Sequence, residues 1–328
     1  MSKSGFRING PLVVRSPNWL GDAVMALPAV RNLKTMLVRD PLTVAAPEKL
    51  VALWQACPFV DKVIALMEPK KLRATARQLR AEKFGSAILL PNSLRSAAEA
   101  MLAGIPQRIG YARGGRRWLL TQAVPVPARN PVRLHQRFYY LDLVAALGGP
   151  TDASMPELRK GLLPANPHFT VAICPGAEYG PAKRWPVENF LTVARHFATK
   201  HKARILLLGA TGDAPLAAEL AAKLPEAENR AGKTSLAEFM AALAGAQLVF
   251  CNDSGAMHVA SVLNIPTVAI FGSTEPQLTG PLGSRTQVLR HHVPCSPCFL
   301  RECPIDFGCM RGVTPEMAIA AGEMILKI

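Results

Sequence analysis

Leu248-Val249-Phe250-Cys251, followed at once by Asn252-Asp253-Ser254-Gly255-Ala256-Met257-His258, decides the fold class. The first four residues are an apolar run of strand length, and Ala256–Leu263 has helical spacing. A glycine sits at the turn between them. A strand, a glycine turn and a helix in that order make half of a βαβ unit. The same stretch carries chemistry. The free N–H groups of Ser254, Gly255 and Ala256 point out of a helix start and favour an anion, such as a diphosphate. Asp253 at the strand end can accept hydrogen bonds from sugar hydroxyls. His258, one turn along, can face the same ligand. The plainer alternative is a Ser/Asp cap on an ordinary helix, with His258 a surface residue.

Working outward, the pattern repeats. Strands are expected at Thr170–Cys174, Arg204–Leu208 and Thr267–Phe271, with helices at Val187–Lys200, Leu216–Leu224 and Leu236–Ala244. Upstream lies a second series. Pro11–Ser16 reads as a strand and Ala23–Val38 as a helix with Val24, Leu27, Val30, Leu33 and Leu37 on one stripe. Pro28 should kink that helix or mark its first turn. Leu42–Ala46, Lys62–Leu66 and Ala87–Leu90 read as strands, and Leu72–Lys83 as a basic helix. Residues 92–137, rich in arginine and broken by Gly110, Gly114 and Gly115, read as mostly loop. Residues 148–167, with Gly148-Gly149 and Pro150, Pro156, Pro164 and Pro167, read as a linker. The expectation is an α/β chain of two Rossmann-like domains, 1–160 and 161–328. Parallel sheets would face a cleft between the domains, where ligands of open α/β sheets bind.

The charge is lopsided. Residues 1–160 hold 24 Lys+Arg against 10 Asp+Glu, a net +14; residues 161–328 hold 14 against 13, a net +1. A one-sided field attracts polyanions: nucleic acid, an anionic membrane or a phosphorylated substrate. Aromatics are only 6% of the chain, which disfavours a β-barrel. The polar start, Met1–Gly10, has no apolar signal-peptide core, and no apolar run reaches the ~20 residues of a membrane span. A cytoplasmic protein is expected, at most peripheral on a membrane, with its seven cysteines reduced, metal-bound or buried.

Further candidate residues lie at the strand ends. Ser16-Pro17-Asn18-Trp19-Leu20-Gly21-Asp22 follows the first strand, and Asp22 can take a proton from an attacking hydroxyl. As a helix cap it would have a low pKa and be a poorer base. Lys183, in Lys183-Arg184-Trp185-Pro186, can neutralise a leaving diphosphate; the alternative is a solvated charge pair. Ser273 and Thr274, in Gly272-Ser273-Thr274-Glu275-Pro276, suit phosphate oxygens. Gly232-Lys233-Thr234 imitates a P-loop, but the full pattern needs glycine where Ala227 stands, and no clear strand precedes it. Cys295, Cys298, Cys303 and Cys309 lie within 15 positions, near His291 and His292. They are a candidate zinc or iron–sulfur set, although their spacing is not the paired CxxC…CxxC of a ribbon.

Taken together and in order, several stretches resemble glycosyltransferase family 9, the lipopolysaccharide heptosyltransferases. They are Leu20-Gly21-Asp22 with Ala26-Leu27-Pro28-Ala29, Lys183-Arg184-Trp185-Pro186, Asp253-Ser254-Gly255-Ala256-Met257-His258 and Phe271-Gly272-Ser273-Thr274. Asn92-Ser93-Leu94-Arg95-Ser96 and the Cys295–Cys309 loop resemble the heptosyltransferase II branch. The resemblance runs from about residue 11 to residue 325. It implies a GT-B fold and an inverting transfer from ADP-L-glycero-D-manno-heptose to an inner-core heptose of a Kdo–lipid A acceptor. It implies Asp22 as base, and Lys183, Asp253, Ser254, Gly255, His258, Ser273 and Thr274 as donor contacts. Family members often carry an acidic residue after the strand Arg204–Leu208 that binds the ribose; here Asp213 stands nearby, in uncertain register.

The basic half fits an acidic acceptor, with Asn92, Arg95, Arg113, Arg116 and Arg117 as candidate contacts. The expected protein is a monomeric enzyme with no cofactor and no catalytic metal. It would bind no nucleic acid and would touch the inner face of an anionic inner membrane. Heptosyltransferase I or III activity is the nearest alternative. A zinc-dependent nucleic-acid-binding protein and a non-catalytic sugar-nucleotide sensor are alternatives of other classes. The first of these lacks the aromatics interleaved with arginine that stacked bases require.

Overall fold

The computed structural model describes residues 8–37, 40–66, 71–128, 130–159 and 168–327. The chain divides into two compact units, Met1–Arg159 and Lys160–Ile328. The first contains β1 (Leu12–Arg15), α1 (Leu20–Met36), β2 (Leu42–Pro47), α2 (Val51–Gln55), β3 (Lys62–Leu66), α3 (Leu72–Ala81), β4 (Ser86–Leu89), α4 (Leu94–Leu102), β5 (Gln107–Tyr111), β6 (Gln122–Val124) and α5 (Gln136–Ala146). The second contains β7 (Thr170–Cys174), α6 (Val187–His201), β8 (Arg204–Leu207), α7 (Ala214–Lys223), β9 (Glu228–Asn229), α8 (Leu236–Ala244), β10 (Leu248–Asn252), α9 (Gly255–Val262), β11 (Thr267–Phe271), α10 (Pro276–Thr279), β12 (Thr286–Arg290), α11 (Gly308–Arg311) and α12 (Pro315–Leu326).

Each unit is one parallel six-stranded sheet. Their orders are β3-β2-β1-β4-β5-β6 and β12-β11-β10-β7-β8-β9. Counted from its own first strand, each has the 3-2-1-4-5-6 order of a Rossmann domain. Two such domains are the parts of a GT-B fold. In each sheet the strand order reverses beside the first strand, between β1 and β4 and between β7 and β10, and the carboxyl ends there are the natural ligand sites.

The central strands are apolar because helices cover both faces. All of β7, β10 and β11 is buried. Phe190, Phe197, Phe250, Val268, Ile270, Ala318 and Ile325 share the second unit's core. The last helix packs on α6, β11 and β12. Gly322 permits the approach: an added Cβ would lie 2.7 Å from the Phe250 ring and 3.0 Å from that of Phe197.

Polar side chains also tie α12 to α6. Glu323 Oε1 accepts from His196 Nε2 (2.9 Å), Lys200 Nζ (3.0 Å) and His201 Nε2 (2.7 Å). Hydrogen bonds from the two histidines, more than any other influence, hold its carboxyl at about 2, below its ordinary 4.5. A depressed carboxyl stabilises the fold above its unfolded pKa, and that contribution fades as the pH falls through the range between the two values. Glu323→Gln should therefore cost about 1 kcal/mol at pH 7, given its partial exposure. In paired thermal melts, its deficit against wild type should shrink progressively below about pH 4.5. A deficit that does not change with pH would rule out the ionic origin.

Residues 92–137 depart from the expected loop. They hold α4, β5, β6 and the start of α5. Four of the nine α4 residues are Ala or Ser, which weakens its apolar periodicity, yet Ala97 and Ala100 are buried. Short β5 is fixed by parallel pairing to β4 rather than by local pattern. The helix α1 starts at Leu20, before the expected Ala23, and runs through Pro28 to Met36. Asn32 Nδ2 donates to the Pro28 carbonyl at 2.7 Å. A two-residue strand, β9, does precede Gly232. The first part of the expected linker is pinned to the first unit: Arg31 donates to Asp152 at 2.6 Å and Arg159 N to Ala56 O at 2.8 Å. Its remainder, 160–167, lies outside the described residues.

Candidate active site

In the second unit the donor candidates gather at the carboxyl ends of β10 and β11. Asn252 ends β10, fully buried, and its amide joins three segments. Its Oδ1 accepts from Trp185 N at 3.0 Å, and its Nδ2 donates to Pro175 O at 2.8 Å and Gly176 O at 3.4 Å. Trp185 is anchored in turn, its indole N–H donating to Val313 O at 2.8 Å. The Lys183 loop is thereby tied to the strand that presents Asp253.

Asp253 Oδ2 accepts from Lys183 Nζ and from Thr274 Oγ1, the latter at 2.5 Å. The Lys183 ammonium also lies 4.7 Å from the centre of the Tyr179 ring. Lys183 is thus no solvated charge; it is largely buried between an acid and a ring face. Ser254 occupies the N-cap of α9 with extended backbone and makes no side-chain cap bond. The first amides of α9 are therefore left for another acceptor. Ser273 Oγ is buried with no hydrogen-bond partner among the described residues, a cost a native site rarely carries without cause. His258 is buried on α9 rather than on the surface.

Asp213 now has a register. It lies against Gly176 and Gly209, at the ends of β7 and β8, and accepts from Ala210 N at 3.0 Å. A Cβ at Gly176 would overlap its carboxyl group, so glycine is required there. Burial raises the pKa of Asp213. Sequence spacing alone could not place it there. Asn252 was also missed: its position before Asp253 was visible, its bridging role was not.

In the first unit, Asp22 stands in the first turn of α1 and does not cap it; Trp19 holds the cap position. One carboxylate oxygen, Oδ1, accepts from Tyr140 Oη at 3.2 Å. Burial raises the Asp22 pKa, and the Tyr140 bond only partly opposes it. The feared low pKa of a cap does not arise. Tyr140, buried on α5, is the partner the sequence did not reveal.

The acceptor candidates divide. Asn92 Nδ2 donates to Tyr139 Oη at 2.8 Å. Arg95 Nε donates to buried Glu99 at 3.0 Å, which also takes Arg15 Nε at 3.3 Å. The Arg95 Nη2 is left without a partner among the described residues. Arg113 and Arg117 are exposed.

Arg116 needs correction as an acceptor contact: it is 0% exposed. Its guanidinium donates to the carbonyls of Tyr111 (3.1 Å), Leu89 (3.3 Å) and Pro91, and to Ser96 Oγ (3.2 Å) and Asn92 Oδ1 (3.3 Å). Burial pushes its pKa down to about 10. Its donors are spent on strand ends and loops of its own unit.

Three of the clustered cysteines, Cys295, Cys298 and Cys303, lie on the irregular loop between β12 and α11, and Cys309 lies in α11. Burial raises the Cys309 thiol, and the neighbouring thiols of Cys295, Cys298 and Cys303 raise it further. Among the described residues, the set with ligand atoms all within 4.8 Å of one another is instead His196, His201 and Glu323. No helix among the described residues is long and apolar enough to cross a membrane.

Comparison with known proteins agrees with this architecture. The family described as glycosyltransferase family 9 (heptosyltransferase) matches residues 72–307. The lipooligosaccharide heptosyltransferase 2 of Haemophilus influenzae is 31% identical over 308 residues, covering 85% of this chain and 88% of that one. The lipopolysaccharide heptosyltransferase 2 of Escherichia coli is 30% identical, covering 85% and 87%. The solved structure of E. coli ADP-heptose lipopolysaccharide heptosyltransferase II superposes with a TM-score of 0.82 at 28% identity, over 97% of this chain and 98% of that one. A chain with two Rossmann domains, these strand-end motifs and relatives alike over nearly its whole length belongs to glycosyltransferase family 9, the heptosyltransferases.

Proposed function

We propose that this heptosyltransferase moves L-glycero-D-manno-heptose from ADP-heptose to the inner-core heptose of a Kdo–lipid A acceptor, with inversion. The observation that carries the reading is the constellation at the ends of β10 and β11. An uncapped helix start, the Lys183 ammonium, the Thr274 hydroxyl and the unpaired Ser273 hydroxyl form one cradle for a diphosphate. The diphosphate takes Lys183 from Asp253, whose carboxylate then turns to sugar hydroxyls. Gly255 admits the ligand to the backbone, His258 supports the same wall, and Asp213 binds the ribose.

The acceptor lies on the first domain. Arg95, held by Glu99 with its side chain partly exposed, meets its phosphate or carboxylate, and Arg113 and Arg117 extend the basic face. The acceptor presents its hydroxyl to Asp22 as base. Its deprotonated oxygen attacks the anomeric carbon opposite the diphosphate, forming the glycosidic bond as the carbon–oxygen bond to ADP breaks. The proton goes to Asp22 and the charge leaves on ADP. The protein works as a cytoplasmic monomer, touching an anionic membrane with Arg113, Arg117 and the exposed Trp118, and binding no nucleic acid.

The test is incubation with ADP-heptose and heptose–Kdo2–lipid A, with chelator added just before the assay. Mass spectrometry and NMR of the product follow. One added heptose on the first heptose, of inverted configuration, is expected at an undiminished initial rate. Transfer only to an acceptor without heptose would point to heptosyltransferase I activity. No transfer to either acceptor would refute the reading.

A further inference from the structure

The loop that carries Cys295, Cys298 and Cys303 runs from the end of β12 to α11, which carries Cys309; it has no regular structure, yet it is closely held. Structureless connections of this length in a compact domain are usually functional. It is held at two places, and both belong to the donor cradle. On one side Phe299 N donates to Ser273 O at 2.7 Å, and Ser296 Oγ to Gly272 O at 2.6 Å. On the other, Tyr179 Oη donates to Phe299 O at 2.6 Å, Arg301 Nε to Tyr179 O at 2.7 Å, and Ala182 N to Arg301 O at 3.0 Å. Ala182 and Tyr179 flank Lys183. The loop thus buttresses the segment bearing Lys183 and the segment bearing Ser273 and Thr274 together.

The loop has little apolar material of its own to hold this shape. Phe299, Leu300 and Ile305 are 47%, 45% and 67% exposed. Phe299 and Phe307 are in the left-handed region, at φ 57° and 56°, which branched and bulky side chains adopt only under constraint. Four thiols lie within 15 positions, three in this loop and one in α11, while the other three cysteines, Cys57, Cys174 and Cys251, are buried core residues. One feature suits a thiolate ligand, and another fixes a second sulfur in place. Phe307 N–H donates to Cys303 Sγ at 3.4 Å, the amide-to-sulfur bond that favours a charged sulfur. Cys309 Sγ packs against Gly272, where an added Cβ would lie 3.0 Å from it.

We propose that Cys295, Cys298, Cys303 and Cys309 bind one thiophilic divalent ion, zinc or ferrous iron, as a structural tetrathiolate site that secures the donor cradle. Cys303 and Cys309 are the inner pair, set by the Phe307 amide and by Gly272. Binding draws Cys295, which is exposed, and Cys298 onto them, since no three of the four sulfurs lie within 4.8 Å of one another in this structure. Four thiols lose their protons to solvent as the four metal–sulfur bonds form. The metal stays distant from the chemistry: it holds the loop, and the loop holds Lys183 and Ser273. This assignment does not depend on which sugar the enzyme transfers.

The full chain, purified without a metal-affinity tag, is analysed for bound elements by plasma mass spectrometry. It is then stripped and titrated with cobalt(II) chloride as a spectroscopic probe. About one zinc or iron per chain is expected, the elemental analysis deciding which. Cobalt should give sulfur-to-metal charge-transfer bands. Cys295→Ser and Cys298→Ser, at accessible positions that threaten the fold least, should each lower retained metal at least tenfold and abolish those bands; Cys57→Ser should not. Stripping the metal should lower the melting temperature and be reversed by zinc chloride. A chain that retains no stoichiometric metal and shows no cobalt charge transfer overturns the proposal. So does metal that survives both loop variants but is lost in His201→Ala, which would assign it to the His196–His201–Glu323 set.

Discussion

Asp22→Asn should lower kcat by about 10²- to 10⁴-fold, the usual worth of a positioned general base, while donor affinity stays within about twofold. The carboxylate is suited to the task by three local facts. It sits on the first turn of a helix whose cap is another residue, so no backbone amide claims its oxygens as a cap would. Burial lifts its pKa, which strengthens it as a base. Tyr140 holds Oδ1 and so aims the other oxygen. Tyr140→Phe tests the last point with a readout that a folding defect would not reproduce. Losing a hydrogen bond to the charged form raises the Asp22 pKa further. The acid limb of the pH–kcat profile should then move to higher pH, with KM for the donor little changed. An Asp22→Asn enzyme with unchanged kcat, or one whose loss lies wholly in donor KM, would remove Asp22 from the chemistry.

Arg116→Met should destabilise the first domain by about 2–4 kcal/mol, because it strips partners from buried acceptors. Three carbonyls, a serine hydroxyl and an asparagine oxygen converge on one guanidinium, and no carboxylate does. Lysine cannot reproduce a five-donor planar fork, so Arg116→Lys should recover little. Urea denaturation is the measurement. By contrast, Arg113→Ala and Arg117→Ala should leave stability within about 0.5 kcal/mol, as exposed positions generally do, and should raise the acceptor KM instead. Were Arg116→Met as stable as wild type but weak in acceptor binding, the structural role given to Arg116 would be wrong.

The contrast between these arginines shows what the amino-acid sequence can and cannot carry. Thr170–Cys174, Lys62–Leu66 and Thr267–Phe271 were read to the residue because each is rich in β-branched residues and bounded by breaks. Leu236–Ala244 was as clear, and Ser235 with Glu238 forms its capping box. Residues 92–137 misled because their arginines and glycines look like loop, while the forces that order them are long-range. Parallel pairing sets β5 and β6, and the Arg116 side chain closes the ends of β4 and β5. Charge alone cannot tell a buried arginine from an exposed one three positions away. The donor motifs were legible for the opposite reason: strand, glycine turn and helix follow one another within a dozen residues. Tyr140 was not legible, since its partner Asp22 lies 118 positions away.

Asn252 has one more consequence. Its single amide holds the ends of β7 and β10 and the approach to Trp185 in one frame. The proposed socket for the nucleotide is thus preorganised, and an incoming donor is spared the loss of loop entropy, which elsewhere takes about 0.5–1.5 kcal/mol for each side chain immobilised. Recognition in this half should therefore rest on a backbone frame already in place, with adjustment confined to side chains such as Lys183 and Asp253.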